Sequence, residues 1–226
     1  MTEEDDDDLP RSVFTLEETA EGYQRLWNLK SPWDPAPRDP NGDRDRDQVY
    51  RAVGAALTHW EQLEMALALL FGTIIDSNTS AGRAAYGSVV SAAARLDLIM
   101  AAADANKRIS ADRLTAITRL VAHEIGRLVA RRNEIAHGQV TRFRRAEGAA
   151  GKAPELEGHY LVPPYYNTRK HLSYRDKQAT STAFGTLKYA YTSYQIGYYA
   201  LQFQLYAERV HLLWPQIDAI HLGKLT

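Results

Sequence analysis

Apolar residues recur at spacings of three and four through three long stretches of the chain. The stretches run from about Asp45 to Ile75, from Ala81 to Lys107 and from Ser110 to His137. Because this spacing gathers the apolar side chains on one face of an α-helix, each stretch predicts a long amphipathic helix. The positions that define the first helix are Val49, Val53, Leu57, Trp60, Leu63, Leu67, Leu70 and Ile74. Three such helices in succession favour a helical bundle.

Shorter helical signals flank these three stretches. Residues 15–29 predict a short helix in which Thr15 and Glu18 form a capping box. The segment Thr192-Ser193-Tyr194-Gln195 predicts the start of a last helix, which we expect to end before Pro215. The tyrosines of this last helix could stack RNA bases, but the helix is apolar on two sides, which favours a place in the core.

Beyond Gly138 the pattern changes from helical to alternating. Residues 139–144 alternate with a period of two, and residues 159–162 form a second short β-prone run after a loop rich in glycine, alanine and proline. The sequence therefore predicts a β-hairpin within residues 139–172. Residues 31–43 carry four prolines and the pair Asn41-Gly42, which predicts a loop.

The expected fold class is mainly α: an up-and-down bundle of four to five main helices, with the β-hairpin inserted after the helix that ends at His137. The chain has 226 residues, of which 45% are hydrophobic, enough for one core spanning residues 15–226. Residues 3–8 are all acidic, so residues 1–14 are expected to form a disordered tail.

Charge and cysteine content narrow the classes of function. The net charge of −1 gives no general attraction to nucleic acid or membrane, but residues 107–145 hold ten Lys and Arg against three acids. The chain has no cysteine, which excludes disulfides and thiolate metal sites and is typical of the cytoplasm. No apolar run reaches membrane-spanning length, and the acidic start is unlike a secretory leader. The expected location is cytoplasmic, without membrane contact.

The third predicted helix ends in an unusual run of polar residues from Arg131 to Gly138. Glycine directly after His137 predicts that the helix stops there in a left-handed turn, which leaves His137 close to solvent. Arg132 falls on the apolar stripe of this helix, so it needs a partner, a cleft or an anionic ligand. The other members of that stripe are Leu114, Val121, Ile125, Leu128 and Ile135.

A strip of small residues lies on the opposite flank and leads to Asn133 and His137. Its members are Ala122, Gly126 and Ala130, which would let another helix approach closely. Arg132 and His137 are five residues apart, roughly 140° on an ideal helix, so one helix cannot easily aim both at one phosphate. Two copies related by a two-fold axis could place both residue types in one cleft, which favours a homodimer.

The motif itself resembles the HEPN superfamily. Arg132 and His137 are separated by four residues, with Asn133 after the arginine and Gly138 after the histidine, at the end of a long helix. The resemblance covers roughly residues 45–138 and the last helix. It implies an α-helical bundle, often a metal-independent endoribonuclease without a cofactor, that acts as a dimer with both arginines and both histidines facing a common cleft.

The resemblance also implies roles for individual residues. His137 would take the proton of a ribose 2′-hydroxyl and Arg132 would hold the phosphate, giving a 2′,3′-cyclic phosphate and a 5′-hydroxyl. Asn133 would support this catalytic pair. We expect RNA backbone contacts from the nearby arginines Arg131, Arg142, Arg144 and Arg145.

The implied biological role is that of a toxin or anti-phage effector, with an antitoxin or a defence-system protein as partner. In HEPN toxins paired with a nucleotidyltransferase antitoxin, a modified tyrosine stands two positions after the histidine. Gln139 stands there in this chain, which speaks against that form of control.

Other readings of the same residues stay open. A histidine before a glycine often only caps a helix, and Arg119, Arg127 and Arg131 could form a solvated face. The chain could instead be a non-catalytic module that binds RNA, a nucleotide or a partner protein, or a scaffold without a ligand. Residues 58–64 include a histidine and two glutamates, but their spacing is not that of a metal site.

Overall fold

Two helices of 29 residues each pack extensively against each other at the centre of the fold. The structure, a computed structural model, describes residues 16–77, 80–144, 156–164 and 187–221, with the backbone alone for residues 218–221. The predicted acidic tail, Thr15 and Arg145 lie outside the described residues. The helices in chain order are α1 (Leu16–Leu26), α2 (Arg46–Ile74), α3 (Ser80–Ser88), α4 (Ala92–Ala105), α5 (Ala111–Ile117), α6 (Gly126–His137) and α7 (Ser193–His221). The strands are β1 (Gln139–Phe143) and β2 (Gly158–Val162).

The two central helices begin close to the predicted positions, each at a side-chain cap. Asp45 accepts a hydrogen bond from the backbone N–H of Asp47 at 3.0 Å, at the start of α2. At the start of α7, Thr192 N donates to Gln195 Oε1 at 3.0 Å and Gln195 N donates to Thr192 Oγ1 at 3.4 Å. This reciprocal pair is a capping box. The predicted end of α7 is wrong, because the helix continues through Pro215 to His221.

The second predicted helix is in fact two helices. The backbone leaves the helical path at Val89 and Val90, and α4 begins after Ser91, whose side chain accepts a hydrogen bond from Ala94 N at 3.0 Å. Arg95 Nε donates to Val89 O at 2.7 Å and satisfies a carbonyl freed by the break. A good N-cap thus outweighs the continuous apolar spacing.

The third predicted helix is continuous from Ala111 to His137 but is not α-helical throughout. Thr118–Ile125, between α5 and α6, is a π-helix, in which each N–H bonds five residues back. Arg119 Nε lies 3.1 Å from Glu124 Oε1, and the separation of five residues fits this wider turn. Because the π-helix has more residues per turn, the side chains of α5 point in other directions, relative to α6, than a regular α-helix would give them.

The hairpin and the proline-containing loop form one small sheet-like unit against the start of α7. β1 and β2 pair antiparallel, with Gln139 opposite Val162 and Phe143 opposite Gly158. On the other edge of β2, His159 N donates to Asp43 O at 2.8 Å and Leu161 N donates to Tyr191 O at 2.8 Å. Because β2 is bonded to β1 on one edge and to these two segments on the other, β1 and the end of α6 are fixed relative to the bundle.

The described core confirms the mainly helical prediction. Its largest buried side chains come chiefly from α2 and α7, and Trp60 packs edge-on against Phe203 with ring centroids 5.2 Å apart. The expectation that the tyrosines of α7 pack inside is confirmed for Tyr198, Tyr199 and Tyr206, whereas Tyr194 is exposed. None of the described helices combines the length and the apolar character needed to cross a bilayer.

Candidate functional site

His137 is the last residue of α6, and its side chain is exposed, as predicted. The predicted left-handed turn at Gly138 is wrong, since its φ of −73° and ψ of 163° are those of extended backbone. Glycine is required here for space: a Cβ atom at this position would lie 2.6 Å from Leu161 Cγ and 2.9 Å from Glu134 O. Close packing of the helix end on β2 therefore sets where His137 lies.

Arg132 is half-buried against α2, which confirms that this charge points to the packed side of the helix. Its Cζ lies 6.0 Å from the centre of the Trp60 ring, and its Nη1 donates to Asn133 Oδ1 at 3.2 Å. Its Nε is buried and has no hydrogen-bond partner among the described residues. The guanidinium carries five N–H donors, so most of its donor capacity is not used by the described part of the chain.

The Trp60 ring beneath Arg132 is held by a buried carboxylate. Trp60 Nε1 donates to Glu64 Oε1 at 3.2 Å, while Tyr86 OH and Arg95 Nη1 approach Glu64 Oε2 at 2.8 and 3.1 Å. Burial, followed by the Glu64 carboxylate, raises the pKa of Tyr86 well above its ordinary value, so its hydroxyl remains a donor. Trp60 is therefore a fixed surface for Arg132, and Glu64 has a structural role.

Arg131 points to a different set of partners. The side chain is only 12% exposed, and its Nη1 lies 3.0 Å from Glu134 Oε2 and donates to Tyr191 OH at 2.8 Å. Glu134 is buried too, and it accepts from Tyr191 OH at 2.7 Å and pairs with Lys188 Nζ at 3.4 Å. The expected solvated position of Arg131 is thus wrong: it is part of an internal network that holds the end of α6, and little of it is left for RNA.

The small-residue strip is only partly covered within the chain. Gly126 faces α4, where a Cβ atom would lie 3.8 Å from Leu96 Cδ1. Ala122, Ala130 and His137 are exposed, and Asn133 is half-buried. The strip therefore presents an exposed edge that ends at the histidine.

The structure places the remaining predicted residues on the hairpin. Arg142 is exposed on β1, Arg144 is exposed directly after β1, and Arg145 is not among the described residues. Two further residues were not anticipated as parts of a site: Trp60, which supports Arg132, and Arg44, which faces the same cleft as Arg142 and Arg144. Both depend on contacts between distant segments, and only the place of Trp60 on the apolar stripe of α2 hinted at its burial.

The chain was compared with protein-family models, with characterised proteins and with solved structures, and none of them matches it. The residues around Arg132 and His137 are therefore the basis on which a function is inferred. Together they offer an arginine with free donors, an amide beside it and an accessible imidazole, a set suited to phosphate chemistry.

Proposed function

We propose that the protein is a metal-independent endoribonuclease of HEPN type that acts as a homodimer. The observation that carries this proposal is Arg132, whose half-buried guanidinium lies on Trp60 and has a buried Nε without a partner among the described residues. A buried donor left unbonded costs about 1–3 kcal/mol, a loss that an incoming phosphate would offset. Arg131 Nε is also buried and unbonded, but Arg131 Nη1 is held by Glu134 and Tyr191. Arg132 bonds only the neighbouring Asn133 among the described residues and so keeps more donors for a ligand.

In the proposed reaction, His137 takes the proton of a ribose 2′-hydroxyl, and the 2′-oxygen attacks the adjacent phosphorus. The bond to the 5′-oxygen breaks, that oxygen takes up a proton, and a 2′,3′-cyclic phosphate and a 5′-hydroxyl result. Arg132 stabilises the charge on the phosphate in the transition state. Asn133 supports the site by orienting the guanidinium through its hydrogen bond of 3.2 Å.

Two copies of the chain are part of this proposal because Arg132 and His137 lie in different environments. Arg132 is directed at α2, and His137 is exposed at the end of α6. The exposed edge formed by Ala122, Ala130 and His137 is suited to the approach of a second copy. Both copies would then contribute Arg132 and His137 to one shared cleft.

The proposed biological role is that of a toxin or anti-phage effector controlled by an antitoxin or a defence-system protein. Support for this role comes from the HEPN resemblance alone. Gln139 is exposed directly after the motif, where a regulatory tyrosine would be expected in one group of such toxins.

A second candidate function is a non-catalytic module that binds RNA, a nucleotide or a partner protein in the same place. The observation in its favour is His137 itself, whose ring has no hydrogen bond to any described residue that would orient it. A general base is commonly oriented by a second group. In the dimeric enzyme, that group would come from the second copy.

The test is cleavage of a mixed pool of RNAs by the purified protein in excess EDTA, beside His137→Ala and Arg132→Ala. Exposed residues elsewhere supply matched controls, His123→Ala and Arg83→Ala. We expect the wild type and both controls to cleave and both motif variants to lose activity by about 100-fold or more. Equal activity in all five proteins would contradict the proposal, and RNA binding without cleavage would support the second candidate.

A further inference from the structure

A cleft with a volume of about 640 Å³ lies between the hairpin and the loop that precedes α2. Its lining includes Arg44 of the loop, Arg142 of β1, Arg144 directly after β1 and His159 of β2. The three arginine side chains are exposed, and none of them forms a hydrogen bond or ion pair with any part of the chain that the structure describes. Three unpaired guanidinium groups around one cleft are suited to an anionic ligand.

Arg142 on β1 and Arg144 directly after β1 both line the cleft. Phe143 between them is buried and packs against Tyr160 with ring centroids 5.9 Å apart. Arg142 and Arg144 therefore present a short row of charge along the cleft.

The third arginine is brought to the cleft by a close backbone contact. Gly158 has a φ of +111°, and a Cβ atom on it would lie 2.8 Å from Gly42 C, while a Cβ atom on Gly42 would overlap the Tyr160 ring. Gly42 N also donates to Glu157 O at 2.6 Å. Two glycines thus let the loop and β2 touch, and this contact fixes Arg44 beside Arg142 and Arg144.

Two carboxylates also line the cleft, and neither neutralises the arginines by direct contact. Asp43 accepts hydrogen bonds from Ser193 N at 2.6 Å and from Ser193 Oγ, so its carboxylate is bonded to the start of α7. Glu157 is exposed and makes no ion pair with a described residue. His159 Nδ1 donates to Asp43 O at 3.1 Å, which fixes the ring on the wall of the cleft.

We propose that this cleft binds the phosphate groups of a single RNA strand and holds that strand beside the motif. The inference rests on the proposed function, because β1 starts two residues after His137. Arg142 lies five residues beyond the histidine, roughly 16 Å along an extended chain. A strand that crosses the cleft can therefore pass His137. The open shape of the cleft and its spread charges suit successive phosphates of a chain.

The experiment uses full-length protein carrying His137→Ala, so that RNA is not consumed. The probe is a fluorescent single-stranded RNA of about 12 nucleotides, with anisotropy measured at several salt concentrations. R44Q/R142Q/R144Q is compared with R83Q/K107Q/R113Q, which removes the same charge near the opposite end of α2. We expect the cleft variant to bind about tenfold or more weakly, with a salt slope reduced by about 2, and the control variant to bind within about twofold of the parent.

A variant that is expected to bind RNA more tightly controls for unfolding, because an unfolded protein would not gain affinity. Glu157→Gln removes an exposed carboxylate from the cleft wall, and we expect RNA to bind about twofold to threefold more tightly. Equal RNA affinity of the cleft and control variants would overturn the inference, as would a mononucleotide that binds as tightly as the RNA. If wild-type protein does not cleave RNA but loss of the cleft arginines still weakens RNA binding, the proposed ribonuclease activity is contradicted and RNA binding in the cleft is supported. If wild-type protein cleaves RNA and loss of these arginines does not change RNA binding, the ribonuclease activity is supported and RNA binding in the cleft is contradicted.

Discussion

At the scale of single residues, the neighbours Arg131 and Arg132 have opposite roles. Arg131 Nη1 contacts both Glu134 and Tyr191, although its Nε, like that of Arg132, is buried without a hydrogen-bond partner among the described residues. Arg132 rests on Trp60 and keeps a buried Nε unbonded within the described structure. The sequence predicted that Arg132 points inward and allowed a pair between Arg131 and Glu134, but it could not place Tyr191 beside Arg131, because Tyr191 is 60 residues away.

Because of this difference, we expect replacement by methionine to change the free energy of unfolding in opposite directions at the two positions. Arg132→Met removes the unbonded Nε and keeps an unbranched apolar side chain on Trp60, so the free energy of unfolding should rise by about 1 kcal/mol. Arg131→Met leaves the buried Glu134 carboxylate without its arginine and should lower that free energy by about 3 kcal/mol. Chemical denaturation of both variants measures the two values. A clear loss of stability in Arg132→Met would show that Arg132 is a structural residue.

At the scale of elements, spacing predicted the helices well and their interruptions poorly. The break before α4 depends on the cap at Ser91, and the π-helix at Thr118–Ile125 depends on packing that no local pattern records. Pro215 lies inside α7, where Gln216 Nε2 donates to Leu212 O at 3.2 Å in the affected turn. Of these departures, the break before α4 has a clear local cause in the bond from Ala94 N to the Ser91 side chain.

The junction between α6 and β1 gives a test at this scale. Gly138→Ala should lower the free energy of unfolding by about 1–3 kcal/mol, because the added methyl group meets Leu161. Leu161→Ala in the same chain should recover part of this loss. A double-mutant cycle by denaturation measures the coupling energy between the two positions. Purely additive effects would show that steric contact with Leu161 is not the reason for glycine.

At the scale of the whole molecule, the mainly helical fold and the place of the motif at a helix end could be predicted from the sequence. The cleft could not, because it requires Gly42 to meet Gly158 and β2 to bond both Asp43 and Tyr191. These segments are far apart in the chain, and their pairing is a property of the folded bundle. The same long-range contacts hold the hairpin, with Arg142 and Arg144 at one end and His137 just before its start.

The proposed dimer is also tested at the scale of the whole molecule. We expect light scattering at micromolar concentration to give twice the mass of the 25.4 kDa chain. A bulky charged residue on the small-residue strip, Ala130→Glu, should shift the mass toward that of the monomer and reduce RNA cleavage, because it blocks the approach of a second copy. Ala101→Glu, on the exposed side of α4, serves as the control. A monomeric mass for the wild type would contradict the shared site.

The most direct measurement is the chemistry of the ends that the wild-type protein leaves on a labelled RNA in excess EDTA. Attack by the 2′-oxygen with His137 as the base predicts a 2′,3′-cyclic phosphate on one fragment and a 5′-hydroxyl on the other, formed at least about 100-fold more slowly by His137→Ala. Fragments with a 3′-hydroxyl and a 5′-phosphate would contradict this account, as would equal rates for the two proteins.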